Sequence, residues 1–93
     1  MRNTLTNSVE EVWNFPCSFP IKAIGRNSAD FQALVVEIVR RHAPDLNDDA
    51  VSSRTSGGDA YQAVTAVFTA RSREQLDALY SELSGHEQVL MVL

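Results

Sequence analysis

Two segments of this chain carry apolar residues at the spacing of an amphipathic helix, and segments of alternating pattern lie around them. In each, apolar side chains recur at i, i+3, i+4 and i+7, which places them on one helix face. The first stripe is Phe31, Leu34, Val35, Ile38, Val39 and His42, and the second is Leu76, Leu79, Tyr80 and Leu83. Because each helix must bury its stripe against another layer, these two segments constrain the fold more than any other feature.

Polar residues and a proline predict where the helices begin and end. Ser28 is a favourable N-cap for the first helix, with Asp30 placing negative charge in its first turn. Pro44 disfavours helical geometry in the residue before it and so ends that helix. Ser72 and Gln75 have the spacing of a capping box, which predicts the start of the second helix.

Four segments have the period-two pattern of strands: residues 19–24, 51–55, 61–70 and 89–93. Residues 57–59, Gly-Gly-Asp, predict a hairpin turn between the second and third. The order βαββαβ indicates an α+β fold, the ferredoxin-like sandwich, in which a four-stranded antiparallel sheet carries two helices on one face. We therefore expect one ferredoxin-like domain over residues 15–93, with its first and third strands central, preceded by a flexible polar N-terminal arm over residues 1–14.

Charge and cysteine content exclude several classes of function. The 93 residues include 12 acidic and 8 basic ones, for a net charge of −4, and the basic residues are scattered rather than clustered, so no nucleic-acid partner is expected. No apolar run approaches the ~20 residues that span a bilayer, and the polar N-terminus lacks the apolar core of a secretory signal. The single cysteine, Cys17, is typical of a reducing compartment. We expect a cytoplasmic protein without a membrane partner.

One face of the predicted sheet lacks a helix, and alternation assigns Lys22 to it together with a rather apolar set of side chains. A large exposed apolar patch usually marks a partner or ligand surface. The predicted partner surface is Ile24, Ala63, Thr65, Val67, Leu90 and Val92. Self-association into a homodimer through this face or an edge strand is one hypothesis. In the alternative, the N-terminal arm folds back over the face through Val12 and Trp13.

No constellation of residues indicates catalysis, and no metal or cofactor is expected. Cys17 stands alone, without the second thiolate that soft-metal sites need. The loop at residues 45–49 resembles a calcium loop but lacks the glycine and the glutamate that such loops require. His42 and His86 have no catalytic partner visible in the sequence. An acylphosphatase-type hydrolase shares the strand order, but the chain lacks a glycine-rich phosphate loop and an asparagine in the third strand.

Taken in order, several short motifs from residue 15 onwards resemble the YbeD-like family of small bacterial proteins of unassigned function. They are Phe15-Pro16 with Phe19 and Lys22, Gly25, Arg41-His42-Ala43-Pro44, Tyr61, Leu79-Tyr80, Glu82-Leu83 and Met91-Val92-Leu93. The sequence departs from the family at the central hairpin, where the Gly-Asn-Tyr turn is replaced by Gly58-Asp59-Ala60-Tyr61.

The resemblance implies an ACT-like domain, and such domains bind small ligands, often amino acids, near the loop after the first strand. Carried over to this chain, the candidate ligand contacts are Lys22, Gly25, Arg26, Asn27 and Ser28, joined by His42 if the first helix ends nearby. The alternative is a plain strand-to-helix turn in which Gly25 relaxes the backbone and Ser28 caps the helix.

The leading prediction of function is a stand-alone, non-enzymatic regulatory or small-ligand-binding module, which the resemblance also links with lipoate metabolism. Its expected partner is a small metabolite or an unknown protein. The alternative is a protein-binding adaptor that uses the uncovered sheet face, and a hydrolase of acylphosphatase type stands third.

Overall fold

The computed structural model describes residues 14–93 and has the predicted element order βαββαβ. The elements are β1 (Cys17–Arg26), α1 (Phe31–His42), β2 (Val51–Ser56), β3 (Tyr61–Ala70), α2 (Arg73–Ser84) and β4 (Val89–Val92). One turn of 3₁₀ helix, Asp48–Ala50, precedes β2. The predicted arm over residues 1–14 lies outside the described residues except for Asn14, as does its proposed packing through Val12 and Trp13.

The four strands form one antiparallel sheet in the order β2-β3-β1-β4. β1 and β3 are central and pair over ten residues, from Cys17 opposite Ala70 to Arg26 opposite Tyr61. Both central strands are long and apolar, whereas β2 at one edge is polar and β4 at the other has four residues. The ferredoxin-like prediction is confirmed, including the central position of the first and third strands.

Both helices lie on one face of the sheet and bury the stripes that their periodicity predicts. Seven of their side chains are at most 1% exposed: Phe31, Val35, Ile38, Val39, Leu76, Leu79 and Leu83. The sheet contributes Ile21 and Ala23 from β1 and Val64, Ala66, Phe68 and Ala70 from β3. Burial of these apolar surfaces is the main force that holds the helices against the sheet.

The two helices begin differently. At α2 the Ser72 hydroxyl accepts the backbone N–H of Gln75 at 3.1 Å, as the capping pattern predicts. At α1 the predicted N-cap is wrong, because the helix begins at Phe31 after Asp30, and Ser28 contributes only its backbone carbonyl. The reason lies in the sheet: Asn27 still donates its N–H to the Ala60 carbonyl of the β2–β3 hairpin, so the chain stays extended past β1.

A β-bulge changes which side chains of β4 face the helices. Ala23 pairs with Val92 and Ile24 with Met91, but Gly25 pairs with Val89, which leaves Leu90 as the extra residue. Val92 therefore packs against the core, and Met91 lies on the uncovered face beside Ile24. The sequence-based placement of Val92 on the uncovered face is wrong, because strict alternation does not hold across a bulge.

Neither helix in the described part of the chain is long and apolar enough to cross a membrane.

Candidate functional site

The loop after β1 and the loop before β4 border an open cleft of about 380 Å³. Its lining is Arg26, Ser28, Glu87, Gln88 and Leu90. The two loops meet because β1 and β4 are neighbours in the sheet, although more than fifty residues separate them in the chain. Two of the predicted ligand contacts, Arg26 and Ser28, thus lie in one cleft.

Gly25 allows the two loops to approach each other. A Cβ atom at this position would lie 2.4 Å from the carbonyl oxygen of Gln88 and 2.4 Å from Cε1 of the buried Phe31 ring. No side chain can occupy that space without moving the backbone of the second loop. The predicted role of Gly25 is therefore refined: its backbone lies in a close contact that helps shape the cleft, without offering a side chain to a ligand.

The cleft carries one positive and one negative side chain on opposite loops. Arg26 and Glu87 are both exposed, and neither forms an ion pair with the residues that the structure describes. Ser28 and Gln88 add a hydroxyl and an amide, and Leu90 adds an apolar wall. Such a lining can hold a small molecule that has a carboxylate, an amine and an apolar group.

His86 shapes the second loop of the cleft. Its Nδ1 atom accepts the backbone N–H of Gln88 at 3.1 Å, and the backbone N–H of His86 donates to the Leu83 carbonyl at the end of α2. The backbone N–H of Val89 in turn donates to the His86 carbonyl. These bonds turn the chain from α2 into β4 and set the position of Glu87 at the mouth of the cleft.

The remaining predicted ligand contacts lie elsewhere. Asn27 donates its side-chain amide to the Asp59 carbonyl at 2.9 Å, so it joins the loop to the β2–β3 hairpin. Lys22 lies on the uncovered sheet face, where its backbone pairs with Leu93. His42 is at the opposite end of α1, about 16 Å along the helix axis from Phe31, so the condition for including it in the site is not met.

Glu87 and Gln88 are cleft residues that sequence reasoning missed, and Leu90 was assigned to the sheet face. A signal for them was present. In a βαββαβ fold the strand order places the loop after β1 beside the loop before β4. The polar stretch Gly85-His86-Glu87-Gln88 between the second helix and the last strand could have been paired with Gly25-Arg26-Asn27-Ser28 on that ground.

The acidic loop after α1 engages arginines. Asp45 pairs with Arg71 at 2.8 Å, and Asp48 pairs with Arg40, which also donates to the Leu46 carbonyl. Within residues 14–93, no group of three or more histidine, cysteine, aspartate or glutamate side chains is placed to hold a metal ion. These carboxylates therefore serve to attach the loop to α1, through Arg40, and to the segment between β3 and α2, through Arg71.

The uncovered sheet face presents apolar side chains of graded exposure. Ile24, Ala63 and Thr65 are half-buried among their neighbours, whereas Val67 is 37% and Met91 is 52% exposed. Leu90, on the bulge at the edge, is 55% exposed. Apart from Val92, the predicted partner surface lies on this face or at its edge.

Solved structures with the same architecture define the class of this domain. Protein HP0495 from H. pylori superimposes with a TM-score of 0.65 at 12% identity, covering 85% of this chain and 82% of that one. The ACT domain from GTP pyrophosphokinase of Chlorobium tepidum gives a TM-score of 0.61 at 14% identity, covering 82% of this chain and 84% of that one. At these identities the likeness concerns the fold: the chain is a small ferredoxin-like domain of the ACT-like type.

Sequence comparison identifies the family. Residues 10–93 match the family described as "Protein of unknown function (DUF493)", and the chain belongs to it. A UPF0250 protein from Chromobacterium violaceum is 43% identical over 89 residues, which are 96% of this chain and 100% of that one. Another from Leptothrix cholodnii is 46% identical over 79 residues, 85% of this chain and 87% of that one. The resemblance to small bacterial proteins of unassigned function is confirmed. The family is one of unknown function and is not a known enzyme family.

Proposed function

We propose that this protein is a non-enzymatic, cytoplasmic, ACT-like module that binds a small zwitterionic metabolite in the cleft between the β1–α1 and α2–β4 loops, in a regulatory role. The observation that carries the proposal is the pair of opposite charges, Arg26 and Glu87, facing a common cavity without ion-pair partners among the described residues. The similarity of the fold to an ACT domain supports it.

The chemistry of the lining suggests how a ligand is oriented. A guanidinium binds a carboxylate through two parallel hydrogen bonds, which gives direction as well as affinity. Arg26 and the Ser28 hydroxyl would hold the carboxylate of an amino acid, and Glu87 would accept its ammonium group. The exposed Leu90 side chain would contact the apolar part of the ligand.

The proposal is tested by titrating the full chain with amino acids and lipoyl compounds, followed by thermal shift and calorimetry. A ligand at a hundred times its dissociation constant stabilises the folded state by about 2.7 kcal/mol, which a melting curve resolves. The Arg26→Ala variant should lose the shift. Arg73→Ala is the matched control, because it removes an exposed arginine at the start of α2, away from the cleft. No shift with any compound, or equal loss in both variants, would contradict the proposal.

A second candidate is a protein-binding adaptor that uses the uncovered sheet face. It is favoured by the exposure of Val67 and Met91 on that face and of Leu90 at its edge, because exposed apolar side chains on one face often mark an interaction surface. Val67→Glu should abolish co-purification of a specific partner, while Ala78→Glu on the exposed side of α2 should not. Unchanged partners in the Val67→Glu variant would remove this candidate.

A further inference from the structure

Charge is segregated between the sheet and the rest of the described chain. The four strands contain three basic residues, Lys22, Arg26 and Arg54, and no acidic residue. The other described residues include ten acidic and four basic side chains. In a protein of net charge −4, the sheet is therefore a local positive region.

All three basic side chains belong to the uncovered face. Lys22 pairs with Thr65, Arg54 pairs with Ala63, and Ala63 pairs with Ile24, so these residues point to the side away from the helices. Arg26 follows at the end of β1 in the same alternation. None of the three forms an ion pair within residues 14–93.

This combination specifies the chemistry of what can cover the face. Exposed apolar side chains such as Val67 and Met91 favour burial, but a buried cation without a partner is costly. An occupant must therefore bring carboxylates as well as apolar groups. A second copy of the same face fails this test, because a symmetric pairing would bring Lys22 and Arg54 of both copies together without an acid.

We propose that the uncovered face is the docking surface for the chain's own segment preceding Asn14. That segment ends in Val9-Glu10-Glu11-Val12-Trp13, two adjacent carboxylates among three bulky apolar residues. Its apolar residues suit the part of the face around Val67, and its carboxylates suit the neighbouring cation Lys22. The face adjoins the loop cleft at Arg26, but the inference rests on Lys22 and Val67, which do not line the cleft, and it does not depend on ligand binding there.

The position of Asn14 is compatible with this arrangement. Its φ of 40° lies in the left-handed region, which asparagine tolerates and which chain reversals use. An extended chain advances about 3.3 Å per residue, so Glu10 can lie up to about 17 Å from Phe15. Along β1, about 17 Å from Phe15 is the position of Pro20, which pairs with Val67. Lys22 lies two residues beyond Pro20, a gap that the long side chains of Glu10 and Lys22 can span.

The short connection to β1 also supports the segment as the occupant. Only residues 14–16 separate the segment from the first residue of β1, and the family match, which begins at residue 10, covers the acidic pair and Trp13. A short tether gives an effective concentration in the millimolar range, so even a weak contact can be populated without any other partner.

The test uses Trp13, the single tryptophan of the chain, as the probe in the full-length protein. Docking predicts blue-shifted emission and protection from acrylamide, a neutral quencher whose access is insensitive to charge substitutions. Lys22→Glu should raise the undocked fraction about fivefold, equivalent to about 1 kcal/mol. The matched control, Arg73→Glu, makes the same charge change on α2 and should leave the emission unchanged.

A charge swap separates docking from loss of structure. Combining Lys22→Glu with Glu10→Lys and Glu11→Lys should restore the protection, which a merely destabilised fold would not do. Far-UV circular dichroism checks that each variant is folded. If Lys22→Glu does not fold, Val67→Glu tests the apolar part of the same face and should likewise expose Trp13. Wild-type emission and quenching equal to those of free N-acetyltryptophanamide would overturn the proposal. So would protection that falls on dilution, because that result would identify a second copy as the occupant.

Discussion

The Nε2 atom of His42 lies 2.7 Å from the Oε1 atom of Glu82, and this contact joins the end of α1 to the last turn of α2. Arg41 binds the second carboxylate oxygen of Glu82, and Gln75 donates its amide to the His42 carbonyl at 2.8 Å. The histidine, for which the sequence shows no partner, thus belongs to a polar network between the two helices. Its position and its partners indicate a structural role.

Removing Glu82 should loosen this junction. We expect Glu82→Ala to lower the free energy of unfolding by about 1 kcal/mol, since it breaks a half-buried contact with His42 and an ion pair with Arg41. Urea unfolding measures the change. Asp77→Ala removes a carboxylate from the same helix that has no ion pair within residues 14–93, and it should cost less. Equal losses in the two variants would show that the network contributes nothing.

Gly25 and Gly58 should tolerate alanine to different degrees and for different reasons. At Gly25 the added Cβ meets the Gln88 carbonyl and the Phe31 ring at 2.4 Å, so we expect a loss of about 3 kcal/mol from overpacking. At Gly58 nothing lies within 4 Å of the new atom, and only the φ of +64° opposes it, at a cost of about 1 kcal/mol. Chemical denaturation of both variants gives the comparison. A smaller effect at Gly25 than at Gly58 would contradict the close approach of the two cleft loops.

Replacing Gln62 or Gln75 by methionine should change the stability of the fold in opposite directions. Gln62 is 9% exposed, and its Oε1 atom is buried without a hydrogen-bond partner among residues 14–93. Gln62→Met should therefore stabilise the fold by about 1 kcal/mol, because it removes an unsatisfied polar group while keeping the length of the side chain. Gln75→Met should destabilise it, because the Gln75 side chain bonds the Arg71 N–H and the His42 carbonyl. Thermal unfolding of both variants measures the two changes. A Gln75→Met variant that is more stable than the wild type would contradict the role of the Gln75 hydrogen bonds.

Stability should fall at high pH through Tyr80. Desolvation by burial raises the pKa of its phenol above the ordinary value of 10.0, so the folded state holds the proton more tightly than the unfolded chain does. The contribution is complete below pH 10 and is lost as the pH rises through the folded-state pKa. Urea unfolding between about pH 9 and 11, which brackets the ordinary tyrosine pKa, measures the free energy of unfolding. It should decline less steeply with pH for Tyr80→Phe than for the wild type. Identical slopes would contradict the shift.

Local patterns were sufficient for most of the secondary structure. The helical stripes, the capping of α2 by Ser72 and the end of α1 before Pro44 depend on residues within a few positions of one another. The hairpin turn at residues 57–59 is likewise local, and all three residues have positive φ as its composition predicts. The start of α1 could not be predicted in this way, because Asn27 bonds the distant residues Asp59 and Ala60.

Two of the five residues that line the cleft were predicted as ligand contacts from the sequence. Arg26 and Ser28 are in the cleft because they follow β1, which the sequence pattern locates. Glu87 and Gln88 join them only through the pairing of β1 with β4, and Val92 changed faces through the bulge opposite Gly25. Both outcomes depend on the register between strands that are far apart in the chain, and no single segment encodes that register.

The sequence pattern by itself determines the six elements and most of the faces that they bury, because helical and strand periodicities involve residues only a few positions apart. Folding in three dimensions determines the rest: the cleft of opposite charges, the His42–Glu82 contact and the basic uncovered face. Each of these joins residues from separate elements, and their positions follow from how sheet and helices pack together.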